Sequence, residues 1–508
     1  MLPDPVCLVN LAGFAVLTLQ PAACYARRTY TEEKMPRSWT QKLSRLGLTA
    51  ALLVPLWAQA GGFELPGIGA RSLARGGAFG VLADDLTAIG INPAGLIRNK
   101  GTRLLLDYSM KWQHVTYTAN EFSGQSAPDS FLEPSENQSP FFGLGAELVL
   151  ASDFGLDDWA FAIGVYGPNA VGNGDYGTEG GNRYMLNDMD VVLLYYTLTV
   201  AYGWEDTFGV GVSLQYAHAP QADLSLVVDG TALSKVNPYN SPNFDLLANL
   251  KLKDNFAVTA IAGAWWRVIP ELEVALSARV VPVSLDLKGD LKLEGVEGGV
   301  DISKVSQQNT SVALDLDLPV WVRAGLRYRH LKGDREVFDI ELNVQWENWT
   351  VFKEYAVDLQ GTVNIDGLES KLTSLNIPRA WRDTVSVRLG GTYNAVEDLL
   401  WVSLGGFYET AAVPEGYEHL DFLSFARFGV GTGVRFTIAG FDLTVAYMHV
   451  FQETRTNDER SAKIQQQRPL APCPDSCEGF EAAPANNGKF ESSFDVLNVS
   501  LQFNFDEF

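Results

Sequence analysis

Hydrophobic and polar residues alternate along much of the chain with a period of two. From Phe208 to Tyr216 every even-numbered position is apolar, and every odd-numbered position is glycine or polar. The same alternation runs from Leu104 to Trp112, from Trp159 to Val165 and through 425–436. Because successive side chains of a β-strand point to opposite faces, this pattern predicts strands with one apolar face.

Further segments of this kind lie at 191–202, 384–393, 401–408 and 441–450, separated by clusters of Gly, Asn, Asp and Pro that mark turns. Each is about ten residues long, enough for a tilted strand to cross a bilayer. Aromatic residues near the strand ends suit the two membrane interfaces: Tyr195, Tyr196, Trp265, Trp266, Trp346, Trp349 and Trp401. The sequence predicts an antiparallel transmembrane β-barrel, with an aromatic-rich soluble β-sandwich as the alternative.

The last strand carries the sharpest form of the pattern. Apolar residues alternate with Asn, Ser and Gln from Leu497 to Phe505, and the sequence ends at Phe508. This ending resembles the signal that bacterial outer-membrane barrels present to their assembly machinery, which we therefore expect as a partner. We also expect this strand to pair with the first one, because an open sheet edge in lipid leaves backbone groups without hydrogen bonds.

Long polar or Gly/Asn/Pro-rich connections are expected at 119–140, 167–190, 229–256, 288–311 and 453–492, on the extracellular side. The net charge of −23 argues against nucleic acid as a partner, since phosphate binding needs a concentrated basic face. Acidic loops instead suit divalent cations and lipopolysaccharide in the outer membrane. Cys473 and Cys477 lie in the last long connection, where we expect a disulfide rather than a metal site, because no histidine or second cysteine pair is near.

The first sixty residues read as segments that are absent from the mature protein. Residues 35–60 have a basic start, an apolar stretch of about a dozen residues and Ala58-Gln59-Ala60, the parts of a secretory signal peptide cleaved before Gly61. A transmembrane anchor is the alternative, but the apolar stretch is shorter than a membrane span. Residues 1–34 are interpreted as a start-codon miscall, the alternative being a lipoprotein signal ending at Cys24.

Residues 61–101 do not alternate and are rich in Gly and Ala. Asp84 or Asp85 can cap a short helix, and Asn92 followed by Pro93 has the form of a helix N-cap with proline at the first helical position. The segment also carries apolar side chains that need cover. We therefore expect a compact plug inside the barrel formed by 102–508, with a loose periplasmic tail as the alternative.

Several motifs of this sequence resemble the FadL-like family of outer-membrane transporters. They are the opening Gly-Gly-Phe at 61–63, Asn92-Pro93-Ala94, Asn343-Val-Gln-Trp-Glu-Asn-Trp-Thr-Val-Phe352, Trp381-Arg382-Asp383 and Val413-Pro414. The resemblance covers nearly the whole mature chain. It implies about fourteen strands, within the even-numbered range of such barrels, a lumen plugged by the N-terminal hatch, and a kinked third strand that opens the wall sideways. Candidates for the kink are Gly164, Gly167 and Pro168, although an ordinary turn explains the last two equally well.

The resemblance implies passive uptake of hydrophobic small molecules, most of all long-chain fatty acids, by a monomer without a cofactor or a metal. We expect a lumen pocket with Phe63 and Leu65 at its floor, and Arg379 and Arg382 near the ligand's carboxylate. Uptake of aromatic or alkane hydrocarbons is the close alternative, and a general porin the more distant one. An enzyme is not expected, because none of the five histidines accompanies a Gly-x-Ser-x-Gly motif.

Overall fold

The computed structural model describes residues 62, 64–121, 129–228, 245–299, 301–365, 367–467 and 484–507. The signal peptide and start-codon predictions for 1–60 lie outside these residues, as do Phe63, Cys473 and Cys477. The first strands are β1 (Thr102–Ala119), β2 (Ser135–Glu136), β3 (Phe141–Ser152), β4 (Trp159–Tyr166), β5 (Asn173–Asp175), β6 (Asp188–Trp204), β7 (Phe208–Val228) and β8 (Leu246–Ile269). The middle strands are β9 (Leu272–Val281), β10 (Val283–Gly295), β11 (Val305–Leu318), β12 (Trp321–Lys332), β13 (Arg335–Glu347), β14 (Glu354–Ile365), β15 (Leu368–Lys371) and β16 (Leu375–Pro378). The last are β17 (Thr384–Val396), β18 (Leu400–Glu409), β19 (Arg427–Ile438), β20 (Phe441–Gln452), β21 (Arg455–Thr456) and β22 (Gly488–Asn504).

Helices are few and short in the described part of the chain. The α-helices are α1 (Gly69–Ala74) and α2 (Ala88–Ile91), and the 3₁₀ turns are Pro93–Arg98, Asp129–Phe131, Ile302–Lys304, Trp349–Val351 and Phe505–Glu507. None of the described helices has the length and apolar character that a membrane crossing requires.

Fourteen strands form a closed antiparallel barrel, which confirms the predicted fold. Around the wall the order is β1, β3, β4, β6, β7, β8, β9, β12, β13, β17, β18, β19, β20 and β22. Closure comes from β22, which pairs with β1 from Arg103↔Asn504 to Ala119↔Gly488. The expected pairing of the last strand with the first is therefore present, and the wall has no open edge there.

The alternation seen in the sequence separates the outside of the wall from the lumen. On β1, for example, Leu106 and Tyr108 are exposed on the outer face, whereas Leu105 and Asp107 are buried on the inner face. Exposed apolar side chains of this kind recur on strand after strand. So large an apolar exterior would be unfavourable in water and fits the hydrocarbon interior of a bilayer.

Four neighbouring wall strands, β9, β12, β13 and β17, are connected across a bend to further strands at one end of the barrel, which we call its upper end. β9 continues into β10 at Pro282, β12 follows β11 after Pro319, β13 leads to β14 through 348–353, and β16 leads to β17 through 379–383. Together with 246–253 of β8, strands β10, β11, β14 and β16 pair into an extension that we call the canopy. Because proline cannot donate to the ladder, Pro282 and Pro319 are natural places for the strands to bend.

The canopy corrects two of the predicted connections. Residues 246–256 lie in β8, and most of 288–311 lie in β10 and β11, where long loops were expected. Charged residues such as Lys251, Lys288 and Lys292 gave these segments a loop-like composition, but these lysines lie on the outer face of the sheet. The inner face carries leucines, so the canopy is a two-faced sheet above the membrane-crossing wall.

Candidate functional site

Residues 64–99 lie inside the barrel and are held to its inner face by charged side chains. Arg75, which follows α1, donates to both carboxylate oxygens of Asp339 on β13, at 2.8 and 2.7 Å. Arg98 pairs with Glu273 on β9 at 3.1 Å, and the backbone N–H of Val81 donates to Glu341 at 2.7 Å. Because these wall carboxylates are buried, the N-terminal segment supplies partners that they could not obtain from water.

The Asn92-Pro93-Ala94 motif begins the 3₁₀ turn Pro93–Arg98. The Asn92 side chain accepts from the Ala94 N–H at 3.3 Å and donates to the Gly80 carbonyl at 2.8 Å, so the predicted cap is present. Two glycines of the wall make room for it. A Cβ at Gly263 would stand 2.0 Å from the Asn92 side-chain oxygen, and one at Gly211 would stand 2.5 Å from Pro93.

The predicted helix cap at Asp84 or Asp85 is not present in that form. Thr87 occupies the N-cap position of α2 and makes no side-chain cap bond. Asp85 instead accepts from the Thr87 N–H at 3.0 Å, which fixes the turn just before the helix. Asp84 pairs with Arg71 of α1 at 2.7 Å, and that attraction outweighs burial and lowers the pKa of Asp84 to about 2. The two carboxylates hold the segment together rather than capping it.

The third wall strand, β4, stops early, and the chain then turns into the lumen. Beyond Tyr166 the chain runs inwards, where the Leu65 N–H donates to the Asn169 carbonyl at 2.6 Å and Ala170 pairs with Glu64. Residues 141–146 of β3 therefore have no strand partner on this side among the described residues. The wall between them and 192–194 of β6 lacks a ladder, and we call this break the window.

The window has a defined floor and roof. Tyr166, paired with Glu147, is the last residue of β4 below it. Above it, the Asn173 side chain donates to the carbonyls of Ser139 and Phe141 at 2.9 and 3.0 Å. Among the predicted kink residues, Gly167 and Pro168 lie at the inward turn. Gly164 lies within the paired part of β4, where a Cβ would stand 2.8 Å from Ile89 of α2.

An apolar cavity of about 160 Å³ lies between the canopy and the window. Canopy side chains such as Leu250, Leu291 and Leu314 line one part of it. Phe142, together with 167–168 and 191–194 at the window, lines another. The cavity therefore connects the covered upper end of the barrel with the break in its wall.

One end of this cavity is polar. The Arg379 guanidinium pairs with Asp421 and lies 4.4 Å from the centre of the Tyr355 ring. Asp421 also accepts from the Tyr355 hydroxyl at 2.8 Å and lies 2.9 Å from the His419 ring nitrogen. Burial, together with the charge of Arg379, lowers the pKa of His419. Arg379 and His419 in turn outweigh the effect of burial and lower the pKa of Asp421.

The predicted ligand residues do not all meet at this cavity. Arg379 lines it, whereas Arg382 is exposed and does not. Leu65 lines a smaller cavity of about 40 Å³ deeper in the lumen, together with Arg279 and Arg388. The sequence reasoning missed Tyr355, His419, Asp421 and the canopy leucines. In the sequence, only the alternation of leucine with charged residues in 285–293 could have indicated the canopy leucines.

A closed barrel with an apolar exterior, a folded segment in its lumen and an internal apolar cavity defines an outer-membrane transport protein. Residues 51–479 match the sequence profile of the family described as outer membrane protein transport protein (OMPP1/FadL/TodX). The chain belongs to this family, whose members are transport channels and not enzymes. It is accordingly an outer-membrane transporter of hydrophobic compounds.

Solved structures share the fold at low sequence identity. A FadL homologue of Pseudomonas aeruginosa superposes with a TM-score of 0.69 at 16% identity, covering 88% of this chain and 100% of that one. The Pseudomonas putida toluene transporter TodX gives 0.60 at 14%, with coverage of 88% and 100%. The Ralstonia pickettii toluene transporter TbuX gives 0.57 at 15%, with 87% and 100%. No curated protein sequence matches the chain significantly.

Proposed function

We propose that the protein carries long hydrophobic molecules, fatty acids foremost, through the outer membrane by diffusion. A ligand enters the apolar cavity beneath the canopy and leaves sideways through the window when the N-terminal segment shifts. The observation that carries this proposal is the position of the cavity. Residues 167–168 form both its lining and the inward turn that interrupts the wall, so a bound molecule lies beside the break.

The lining explains why an apolar ligand would prefer this route. Burying apolar surface is worth roughly 25 cal/mol per Å², so a long alkyl chain gains several kcal/mol by leaving water for the cavity. A water-filled porin would offer no such gain. Because the N-terminal segment is buried in the lumen, passage straight through the barrel would require it to leave, whereas the window lies beside the cavity.

The polar end of the cavity bears on the head group of the ligand. Arg379 could meet a carboxylate, as expected from the sequence, but Asp421 already neutralises it. That pairing favours a second candidate, an uncharged hydrocarbon, which needs no free cation at this end. Two structural relatives are named toluene transporters, which supports the second candidate by likeness of fold alone.

The proposal is tested by filling the cavity. Leu314→Trp places a bulky side chain on the inner face of β11, and Asp315→Trp places the same side chain on the exposed outer face as a matched control. In cells that lack other hydrophobe channels, we expect L314W to lower uptake of oleate and of toluene at least fivefold relative to D315W. Equal uptake by the two variants would refute the cavity route, and uptake of a small sugar by the wild type would indicate a porin.

A further inference from the structure

Lys111 of β1 is a buried cation on the lumen side of the wall, beside the window. Only 1% of its surface is exposed. Across the sheet it stands opposite Phe142 of β3 on one side and the fully buried Val496 of β22 on the other. Its ammonium group lies 5.7 Å from the centre of the Phe142 ring. Both cross-strand neighbours of this charge are therefore apolar.

Among the described residues, the ammonium group of Lys111 has no ion-pair partner within 4.0 Å and no hydrogen bond. The nearest acid along its own strand is Asp107, whose two oxygens already accept from the Asn498 side chain at 2.8 Å and the Ala70 N–H at 3.0 Å. Burying an ammonium group without a hydrogen-bonded partner is costly. Ionisable residues placed in this way within membrane proteins generally serve the ligand or ion pathway.

Phe142 connects Lys111 to the transport route. Its ring lines the apolar cavity, and the residue lies on the unpaired part of β3 that forms one side of the window. The Phe142 ring therefore borders both the cavity and the ammonium group of Lys111. A molecule that moved from the cavity to the window along the β3 side would pass this ring.

We infer that Lys111 is a specificity-determining cation that binds the acidic head group of an amphipathic ligand as it leaves the cavity, with Phe142 covering it in the empty state. The inference rests on the proposed function and narrows its substrate class to molecules with a long apolar chain and one anionic group. Lys111 supplies what Arg379 lacks, a cation with no carboxylate within 4.0 Å among the described residues. The anionic group of the ligand would accept a charge-assisted hydrogen bond from the Lys111 ammonium group.

Oleate and methyl oleate differ only in the charge of the head group and so test this inference. We expect Lys111→Met to lower the ratio of oleate to methyl oleate uptake at least tenfold, the effect of losing one charge-assisted hydrogen bond. Lys111→Arg should restore most of the ratio. Lys253→Met, on the exposed face of β8, is the control and should leave the ratio unchanged.

The possible failures are distinguishable. A wild-type protein that carries neither compound defeats the proposed function and this inference with it. If the wild type carries both and K111M keeps the wild-type ratio, the inference alone is wrong. A ratio that K111M lowers and K111R does not restore would point to a packing role for Lys111 and would also overturn it. Heat-modifiable migration on gels shows in each case whether the barrel has folded.

Discussion

Arg75 in the lumen and Asp339 on β13 face each other through two parallel hydrogen bonds, and both side chains are almost completely buried. Asp339 also accepts from Arg327 of β12 at 2.8 Å, so one wall carboxylate serves two arginines. Fork-to-fork pairing of this kind fixes direction as well as distance. The N-terminal segment is thereby anchored to the β12 and β13 side of the barrel, away from the window.

Removing this anchor should loosen the segment. We expect Arg75→Met to destabilise it by about 3 kcal/mol, the low end for breaking a buried pair, because Asp339 keeps Arg327. Single-channel conductance in planar bilayers should rise as the lumen opens. Arg335→Met is the control, since its pair with Glu397 is exposed to solvent and contributes little to stability. Equal conductance of the two variants would show that the anchor is not needed.

The contact between Gly263 and Asn92 predicts a steric effect. Gly263→Val puts atoms where the Asn92 side chain lies, whereas Ala262→Val places the same valine side chain on the other face of β8. Both variants are made in a protein that also carries Ala94→Cys. Relative to A262V, we expect G263V to raise the rate of maleimide labelling at position 94 about tenfold or more, because the displaced turn Pro93–Arg98 opens more often. Equal labelling rates for G263V and A262V would contradict close packing at this point.

The buried His419 predicts a pH dependence. Its pKa in the folded state is lowered, so below pH 6.5 the unfolded chain binds a proton more readily than the folded one. Stability is therefore highest above this pH and falls as the pH drops. Between pH 7 and pH 5 we expect the melting temperature in detergent to fall, and His419→Gln to reduce the fall. His218→Gln, whose ring stacks on Tyr216 of the outer face, should not.

Substituting glutamine for Arg379 and for Arg382 should affect the stability of the protein very differently. Arg379→Gln leaves the buried Asp421 without its guanidinium, so we expect a loss of about 3 to 5 kcal/mol, whereas Arg382→Gln should be nearly neutral. Denaturant unfolding of the folded barrel measures both. The double variant Arg379→Met with Asp421→Asn removes the charged pair together and should recover most of the loss. Similar stabilities for R379Q and R382Q would show that the pair contributes little.

The wall of the barrel could be predicted from the sequence because a single physical rule governs it. Lipid outside and a polar or small-residue lumen inside force the period-two pattern, as in Phe208 to Tyr216, and closure requires the last strand to meet the first. Canopy strands obey the same rule with water outside, so their outer positions are charged, as at Lys251 and Lys292. Composition therefore suggested loops, although alternating leucines were present.

The polar end of the cavity could not be predicted in the same way. Tyr355, Arg379 and Asp421 come from two different strand connections and one canopy strand, and only the bends of the sheet bring them together. Gly164 shows a related difficulty. A glycine at this position suggested a break in the ladder. In the structure, the position leaves room for the side chain of Ile89 on α2, a contact that no local sequence pattern reveals.

In the proposed route, the bends at Pro282 and Pro319 determine where a solute first leaves water. Because the strands beyond them keep a leucine face inwards, the apolar interior of the molecule begins in the canopy, above the membrane-crossing wall. A hydrophobic compound that enters the canopy is already surrounded by a hydrocarbon-like medium. Along the proposed route, its further movement into the bilayer would be a passage between two similar solvents.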